Sequence, residues 1–240
     1  MLAIALESLH WAAANGLVEV SRILLKRITD VNSRTDHGLT PLLLASQHGT
    51  PDVVQSLLDH IADVHVCDGY GTPLHYAATG GHLEVTRLLL KLNVDVNSRD
   101  NHGSTPLLLA SEVGILDVVQ LLLDHNADLY VRDRDGDTPL HCAAIGGRLD
   151  IARFLLELHV DINSRNENGS TPLHLASAGN HKGHLKYNEG GYTDVVQLLL
   201  DHGADAQTRN LSGETASDVA RSPKQQEIVQ LFSQHTPAIE

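Results

Sequence analysis

Residues Asp133 to Asp161 read DRDGDTPLHCAAIGGRLDIARFLLELHVD, and this stretch decides the fold. A turn signal, Asp135-Gly136, leads into Thr138-Pro139, where a threonine can cap a helix and a proline can open it. A short alanine-rich segment, Leu140 to Ala144, runs to a break at Gly146 and Gly147. A second apolar segment, Ile151 to Leu156, follows and ends in a polar turn near Asp161. Turn, short helix, turn, longer helix: such a unit cannot bury its apolar faces alone and needs copies of itself on either side.

The copies are there. Thr-Pro recurs at Thr40-Pro41, Thr72-Pro73, Thr105-Pro106, Thr138-Pro139 and Thr171-Pro172, stepping by 32, 33, 33 and 33 residues. Two weaker copies flank these five. Ser8 to Ala13 lacks the turn and the Thr-Pro start; Gly213-Glu214-Thr215-Ala216 replaces the proline and follows 44 residues later. A period near 33 carrying TPLHxA resembles the ankyrin-repeat family, over nearly the whole chain and in seven units. The fold this implies is all-α: an ankyrin-repeat solenoid of stacked helix-turn-helix units with β-hairpin-like fingers. The units are residues 1–34 (a partial repeat), 35–66, 67–99, 100–132, 133–165, 166–209 with an inserted loop near 179–191, and 210–240 as a capping repeat and tail, in one continuous solenoid domain.

A second periodicity lies on the first. Val31-Asn32-Ser33-Arg34 returns as Val96-Asn97-Ser98-Arg99 and as Ile162-Asn163-Ser164-Arg165, and TPLLLAS alternates with TPLHYAA or TPLHCAA. The array reads as a doubled module.

Composition narrows the function classes. Aromatics make up 3% of the 240 residues, which argues against a base-stacking surface. A formal net charge of −13 disfavours nucleic acid, whose phosphates draw on clustered Lys and Arg. A basic or neutral protein fits better. Cys67 and Cys142 match no zinc or redox spacing and read as reduced thiols of an intracellular protein, cytoplasmic or nuclear. The start, MLAIALESLHWAA, lacks a basic n-region and reads as the first helix; no run approaches the roughly 18 apolar residues of a membrane span.

Departures from the repeat are informative. Gly38, Gly103, Gly136 and Gly169 sit two residues before the Thr, where a tight turn wants a residue tolerating positive φ. In the Cys67 to Thr72 copy one residue is missing, so that finger should be shorter and leave a notch beside Tyr70. At the turn closing each second helix the family usually has glycine, as at Gly203. Here Asn93 and Asn126 tolerate a left-handed backbone, whereas His159, Ile28 and Ile61 suit it poorly. Leu2, Ile4 and Leu6 are apolar at the outer edge of the first unit, pointing to an upstream cap or neighbour. The insertion near 179–191 reads either as a solvent loop or, with His181, His184, Tyr187 and Tyr192, as a binding loop. The last unit has a capping-box-like pair, Thr215 and Asp218, and a polar outer face from Arg221 to Glu227, with a frayed tail from His235.

Sixteen histidines invite a metal hypothesis. Yet His10, His75, His141 and His174 fill the TPLH slot, where an imidazole can bond back to the capping Thr, and His60, His125 and His202 recur at the end of helix two. His37 and His102 are two repeats apart, about 20 Å at a helix spacing of ~10 Å, and cannot share an ion. No metal or cofactor is implied. Arg34, Arg99, Arg132, Arg165 and Arg209 recur at the base of the fingers; either each pairs with an acid such as Asp100 or Asp133, or they form a basic ribbon for an acidic peptide. No GxSxG, HExxH or P-loop occurs, and neighbours His141 and Cys142 point about 100° apart on a helix.

Members of the ankyrin family bind proteins on a concave face built from finger tips and the ends of first helices. Carried over position by position, that resemblance implies a partner-binding set of Asp36, His37, Gln47, His48, Tyr70, Thr79, Asn101, His102, Glu112, Arg134, Asp135, Asp137, Ile145, Glu167 and Asn168. The expected function is a non-enzymatic protein-interaction module or scaffold, monomeric or part of a longer chain. The alternatives are an enzyme or small-molecule binder using the groove or the 179–191 insertion, and a stable array without a partner.

Overall fold

The computed structural model describes residues 2–27, 30–179, 191–220 and 225–235, with residues 2–6, 191 and 235 described by backbone alone. The expectations placed on Ile28, on Leu2, Ile4 and Leu6 as side chains, on His181, His184 and Tyr187 of the insertion, on Arg221 and Lys224, and on the tail from His235 lie outside the described residues. Among the described residues the fold is all-α, with no strand: α1 (Leu2–Ala14), α2 (Val18–Leu25), α3 (Pro41–Gln47), α4 (Pro51–Asp59), α5 (Pro73–Gly80), α6 (Leu83–Leu90), α7 (Pro106–Val113), α8 (Leu116–Asp124), α9 (Pro139–Gly146), α10 (Leu149–Glu157), α11 (Pro172–Ala178), α12 (Gly191–Asp201), α13 (Ala216–Val219) and α14 (Gln226–His235). None is long and apolar enough to cross a membrane.

The helices gather into two compact units. The first comprises residues 1–110 and 117–128, the second residues 111–116 and 129–240. Within the first, α1 pairs with α2, α3 with α4 and α5 with α6, while α1, α3 and α5 pack side by side and α2, α4 and α6 do likewise. The second repeats the scheme with α9/α10, α11/α12 and α13/α14. Within each unit, neighbouring helix pairs thus cover one another's apolar flanks. The fully buried side chains are Leu and Ile from successive units, such as Leu43, Leu57, Leu74 and Leu89 in the first and Leu140, Ile151 and Leu155 in the second.

Local chemistry explains why each helix begins where it does. Thr40 Oγ1 accepts the Leu43 N–H at 3.3 Å, and Pro41 supplies the first helical φ. In the TPLH units the histidine answers the threonine. The Thr72 N–H donates to His75 Nδ1 at 3.1 Å, the Thr138 N–H to His141 Nδ1 at 3.3 Å and the Thr171 N–H to His174 Nδ1 at 3.2 Å. A nitrogen that accepts carries no proton, so the proton sits on Nε2. That nitrogen donates across to the next finger: His75 to the Ser104 carbonyl, His141 to that of Ser170 and His174 to that of Glu214, all at 3.0–3.1 Å. His10 reaches the Ser33 carbonyl in the same way at 2.8 Å. One imidazole therefore caps its own helix and ties it to its neighbour. Only the first of these roles is visible in the sequence.

Each second helix starts with an acid in its first turn, as at Glu19, Asp52, Glu84, Asp117, Asp150, Asp194 and Glu227. There it meets the positive end of the helix dipole. Five of these second helices, α4, α6, α8, α10 and α12, are followed by a left-handed residue: Ile61 (φ 64°), Asn93 (φ 55°), Asn126 (φ 65°), His159 (φ 59°) and Gly203 (φ 82°). At Ile61 the following N–H, from Ala62, bonds back to the Leu57 carbonyl at 3.0 Å, which closes the helix end. His60, His125 and His202 place Nδ1 2.8–2.9 Å from the carbonyl four residues earlier, a local role without a metal.

Candidate functional site

Each finger is a single tight turn. The Asp100 N–H donates to the Ser104 carbonyl, Asp133 to Asp137, Asn166 to Ser170 and Asn210 to Glu214, at 2.9–3.2 Å. The side chain at the head of the turn is consumed by the same turn. Asp100 Oδ1 accepts the N–H groups of His102 and Ser104, both at 2.8 Å, and Asn166 and Asn210 do the same in their fingers. Asp133 bonds likewise to Asp135 and Asp137, and burial lifts its carboxyl above the usual range. Fingers are also linked to one another: the Asn101 N–H donates to the Gly69 carbonyl at 3.1 Å in the first unit, and Glu167 to Asp135 at 2.8 Å in the second.

With the head of each turn committed, the two tip residues are left outward. Asp36, His37, Tyr70, Asn101 and His102 are exposed in the first unit, as are Gln47, His48 and Thr79 at the ends of first helices. In the second unit Arg134, Asp135, Glu167 and Asn168 are exposed, while Glu112 and Ile145 are half-buried. Asp137 is different. It is buried, and its Oδ1 accepts a hydrogen bond from the Asn166 amide at 2.8 Å, so it belongs to the finger framework and not to the open face.

The finger-base arginines bond to backbone carbonyls. The bonds of Arg34 run to the carbonyls of Gly38 (2.9 Å) and Cys67 (3.1 Å), that of Arg99 to Gly103 (2.8 Å), and those of Arg132 to Gly136 (3.0 Å) and Arg165 (2.8 Å). Arg165 donates to the Arg209 carbonyl, and Arg209 to that of Gly213, with Asp218 standing 3.6 Å from the same guanidinium. Asp100 and Asp133 each spend one oxygen, Oδ1, on turn N–H groups. Arg34, Arg132 and Arg165 each bond a carbonyl of the next finger, while the carbonyls named for Arg99 and Arg209 lie within their own.

Residues that sequence reasoning passed over perform a matching task at the other end of the first helix. His82 Nε2 lies 2.9 Å from the Gln47 carbonyl, Arg148 Nε donates to the Glu112 carbonyl at 2.8 Å, and Thr50 Oγ1 to that of Ala13 at 3.4 Å. Gln225, which the sequence places on the polar outer face of the last unit, is instead buried and donates to the Ser177 carbonyl at 2.8 Å, because the end of α11 needs a donor there. All four close the last carbonyls of the preceding repeat's first helix, which the helix itself cannot satisfy. Their side-chain types have nothing in common except a proton to give; only their place after the glycine break at Thr50, His82 and Arg148 marks them.

The shortened finger builds a concave feature of the first unit's open face. Asp68 Oδ1 accepts the N–H groups of Tyr70 and Gly71 at 2.9 and 3.1 Å, closing the turn one residue early. Gly71 is required here, since a Cβ would stand 2.5 Å from that of His75. The gap is a cavity of about 400 Å³ lined by Gln47, Tyr70, His75, Tyr76, Thr79, Gly80, Asp100 and Leu109. Its groups are poorly placed for acid–base work. Both nitrogens of His75 are bonded and burial lowers its pKa; the Tyr76 hydroxyl donates to Asp68 Oδ2 at 2.7 Å, and burial with that carboxylate pushes its pKa well up. Cys142 is buried, which raises its thiol pKa, and Cys67 is exposed. Among the described residues no three His, Cys, Asp or Glu side chains converge as a metal site.

Comparison with known proteins settles the family. Models described as ankyrin repeats match residues 5–68, 49–133 and 122–176, and a single ankyrin repeat matches 168–211. The chain belongs to the ankyrin-repeat family. Its fold is similar to the crystal structure of the human ASB11 ankyrin repeat domain, with a TM-score of 0.78, 27% identity and coverage of 93% of this chain and 96% of that one. Among curated proteins it is similar to human neurogenic locus notch homolog protein 2, 38% identical over 95 residues, or 39% of this chain and 4% of the relative. It is also similar to the probable E3 ubiquitin-protein ligase XBOS32 of Oryza sativa subsp. japonica, 42% identical over 84 residues, or 34% of this chain and 17% of the relative. The chain therefore matches a small part of each of these relatives' lengths. As an ankyrin-repeat array it is, in general terms, a protein-interaction module.

Proposed function

We propose that this ankyrin-repeat chain recruits another protein through the finger tips and first-helix ends, and that in the first unit the notch beside Tyr70 anchors the contact. The single observation carrying this is the cavity of about 400 Å³ left by the short finger. Around it, Gln47, Tyr70 and Thr79 are exposed and drawn from three successive positions of the open face. Tyrosine is a frequent anchor of protein interfaces because it buries a large ring at small entropic cost. Tyr70, at 71% exposed, is a large apolar side chain held in the open by a rigid turn. The net charge of −13 favours a neutral or basic protein over nucleic acid. Two free cysteines support an intracellular setting.

The test is affinity capture with the intact chain and with a Tyr70→Ala, His102→Ala variant. Both residues are exposed, so the fold should be unchanged by circular dichroism and thermal midpoint. The expected result is a defined protein bound by the intact chain and lost by the variant. Equal capture by both would refute the placement of the interface.

A further inference from the structure

The walls of the notch indicate what it accepts, provided that the open face does bind a protein. We propose that the notch takes an arginine side chain of the partner, its stem against Tyr70, Tyr76 and Leu109 and its guanidinium at Asp100. Size is the first constraint. About 400 Å³ lies near the lower end of the roughly 300–1,000 Å³ of ligand pockets, enough for one or two side chains and too little for a folded element.

Charge is the second. Of the lining groups Asp100 is the carboxylate, and its two oxygens differ. Oδ1 is held by the His102 and Ser104 N–H groups, whereas Oδ2 receives no hydrogen bond from the described residues. His75 offers neither nitrogen, and the Tyr76 hydroxyl is already donated to Asp68. An apolar occupant would strip water from Asp100 without replacing it, which is costly for a charge. A phosphate or carboxylate would be repelled by it and by the acidic chain as a whole. A cation satisfies it.

Aromatic walls are the third. A guanidinium is planar, weakly hydrated and forked, so it can lie on a tyrosine ring while donating to a carboxylate; an ammonium is compact and strongly hydrated. Two tyrosines and one carboxylate in a single notch favour the first. Gln47 and Thr79 add a side-chain amide and a hydroxyl at the rim, the latter donating to the His75 carbonyl at 2.9 Å and so able to accept.

The test uses the whole chain, isotopically labelled, with amide shifts followed by NMR. The probes are Nα-acetyl-arginine amide, the uncharged isostere Nα-acetyl-citrulline amide, and Nα-acetyl-lysine amide. The arginine compound should shift the Tyr70, Thr79 and Gly80 amides and bind about fivefold more tightly than either of the others. The Asp100→Asn variant should lose that preference while keeping its finger, because Asn166 and Asn210 hold the equivalent position and accept the same pair of N–H groups. Unchanged amide shifts outside the 100–104 finger and an unchanged thermal midpoint would verify that the fold is intact. Equal binding of citrulline or lysine overturns the assignment, as does the absence of shifts up to about 50 mM, well above the mM affinity a single side chain can reach. Failure here with Tyr70-dependent capture intact removes the arginine alone; arginine-specific shifts without any captured protein would count against the interaction reading instead.

Discussion

Ile61 occupies a left-handed backbone position at φ 64° with its side chain 85% exposed, so it takes on strain and gains no burial in return. A β-branched residue there costs about 1 kcal/mol or more relative to glycine. Ile61→Gly is therefore expected to stabilise the chain by about 1 kcal/mol, read as a raised urea midpoint; an unchanged or lowered midpoint would contradict the strain. The clasp histidines make a second prediction. Burial lowers the pKa of His75, His141 and His174 from the ordinary 6.5, at His141 to about 4, while the bonds to carbonyls and nearby carboxylates pull the other way. Below pH 6.5 the unfolded chain binds protons that the folded chain refuses. Their contribution is thus whole above that pH and declines as the pH falls below it, at His141 toward about 4 and by up to about 1 kcal/mol per pH unit. Asp133, with its raised carboxyl, acts weakly in the opposite sense, and the lowered carboxyl of Asp205 matters only below its ordinary 3.8. The urea midpoint should fall between about pH 7.5 and about pH 5, and less steeply in His141→Gln, which does not titrate; a midpoint independent of pH would contradict the neutral clasp.

Among the helices, the break after each first helix is set by what must pass over it. A Cβ on Gly146 would come 2.1 Å from the Glu112 carbonyl and 3.0 Å from Arg148, the side chain that closes that carbonyl. Gly146→Ala should thus lower stability by about 1–3 kcal/mol, although alanine is the better helix former by about 1 kcal/mol. A stabilised variant, measured by chemical denaturation, would mean that the repeats can separate there freely. The same contact shows where sequence reading stops. Positive φ at Ile61, Asn93, Asn126 and His159 was legible because aligning each with Gly203 needs only chain spacing. The notch at Tyr70 was legible because a missing residue has one geometric consequence. Thr50, His82 and Arg148 were not, since their partners lie 35–37 residues back and any donor of suitable reach serves. For the finger-base arginines an acidic neighbour or a basic ribbon was the expectation, whereas carbonyls of the turns lie in reach of their N–H groups. Asp137 looked like a tip residue for a similar reason: its Asn166 partner lies 29 residues away, beyond local pattern.

Across the whole chain, the repeat period, the capping threonines and the helix pairs are all written in sequence, and the family membership follows from them. What the period cannot specify is which surface positions serve recognition, because stacking constrains the framework and leaves the tips free. The interaction surface therefore rests on shape: tips held outward by consumed turn groups and a notch where one finger is short. Photo-crosslinking tests that division most directly. A benzoylphenylalanine at position 70, in the notch, is compared with one at position 61, also exposed, at the end of a second helix. In cell extract the chain labelled at 70 should give a discrete protein adduct and the chain labelled at 61 none; an adduct from 61 alone, or the same adduct from both, would contradict the assignment of the finger face as the surface that binds.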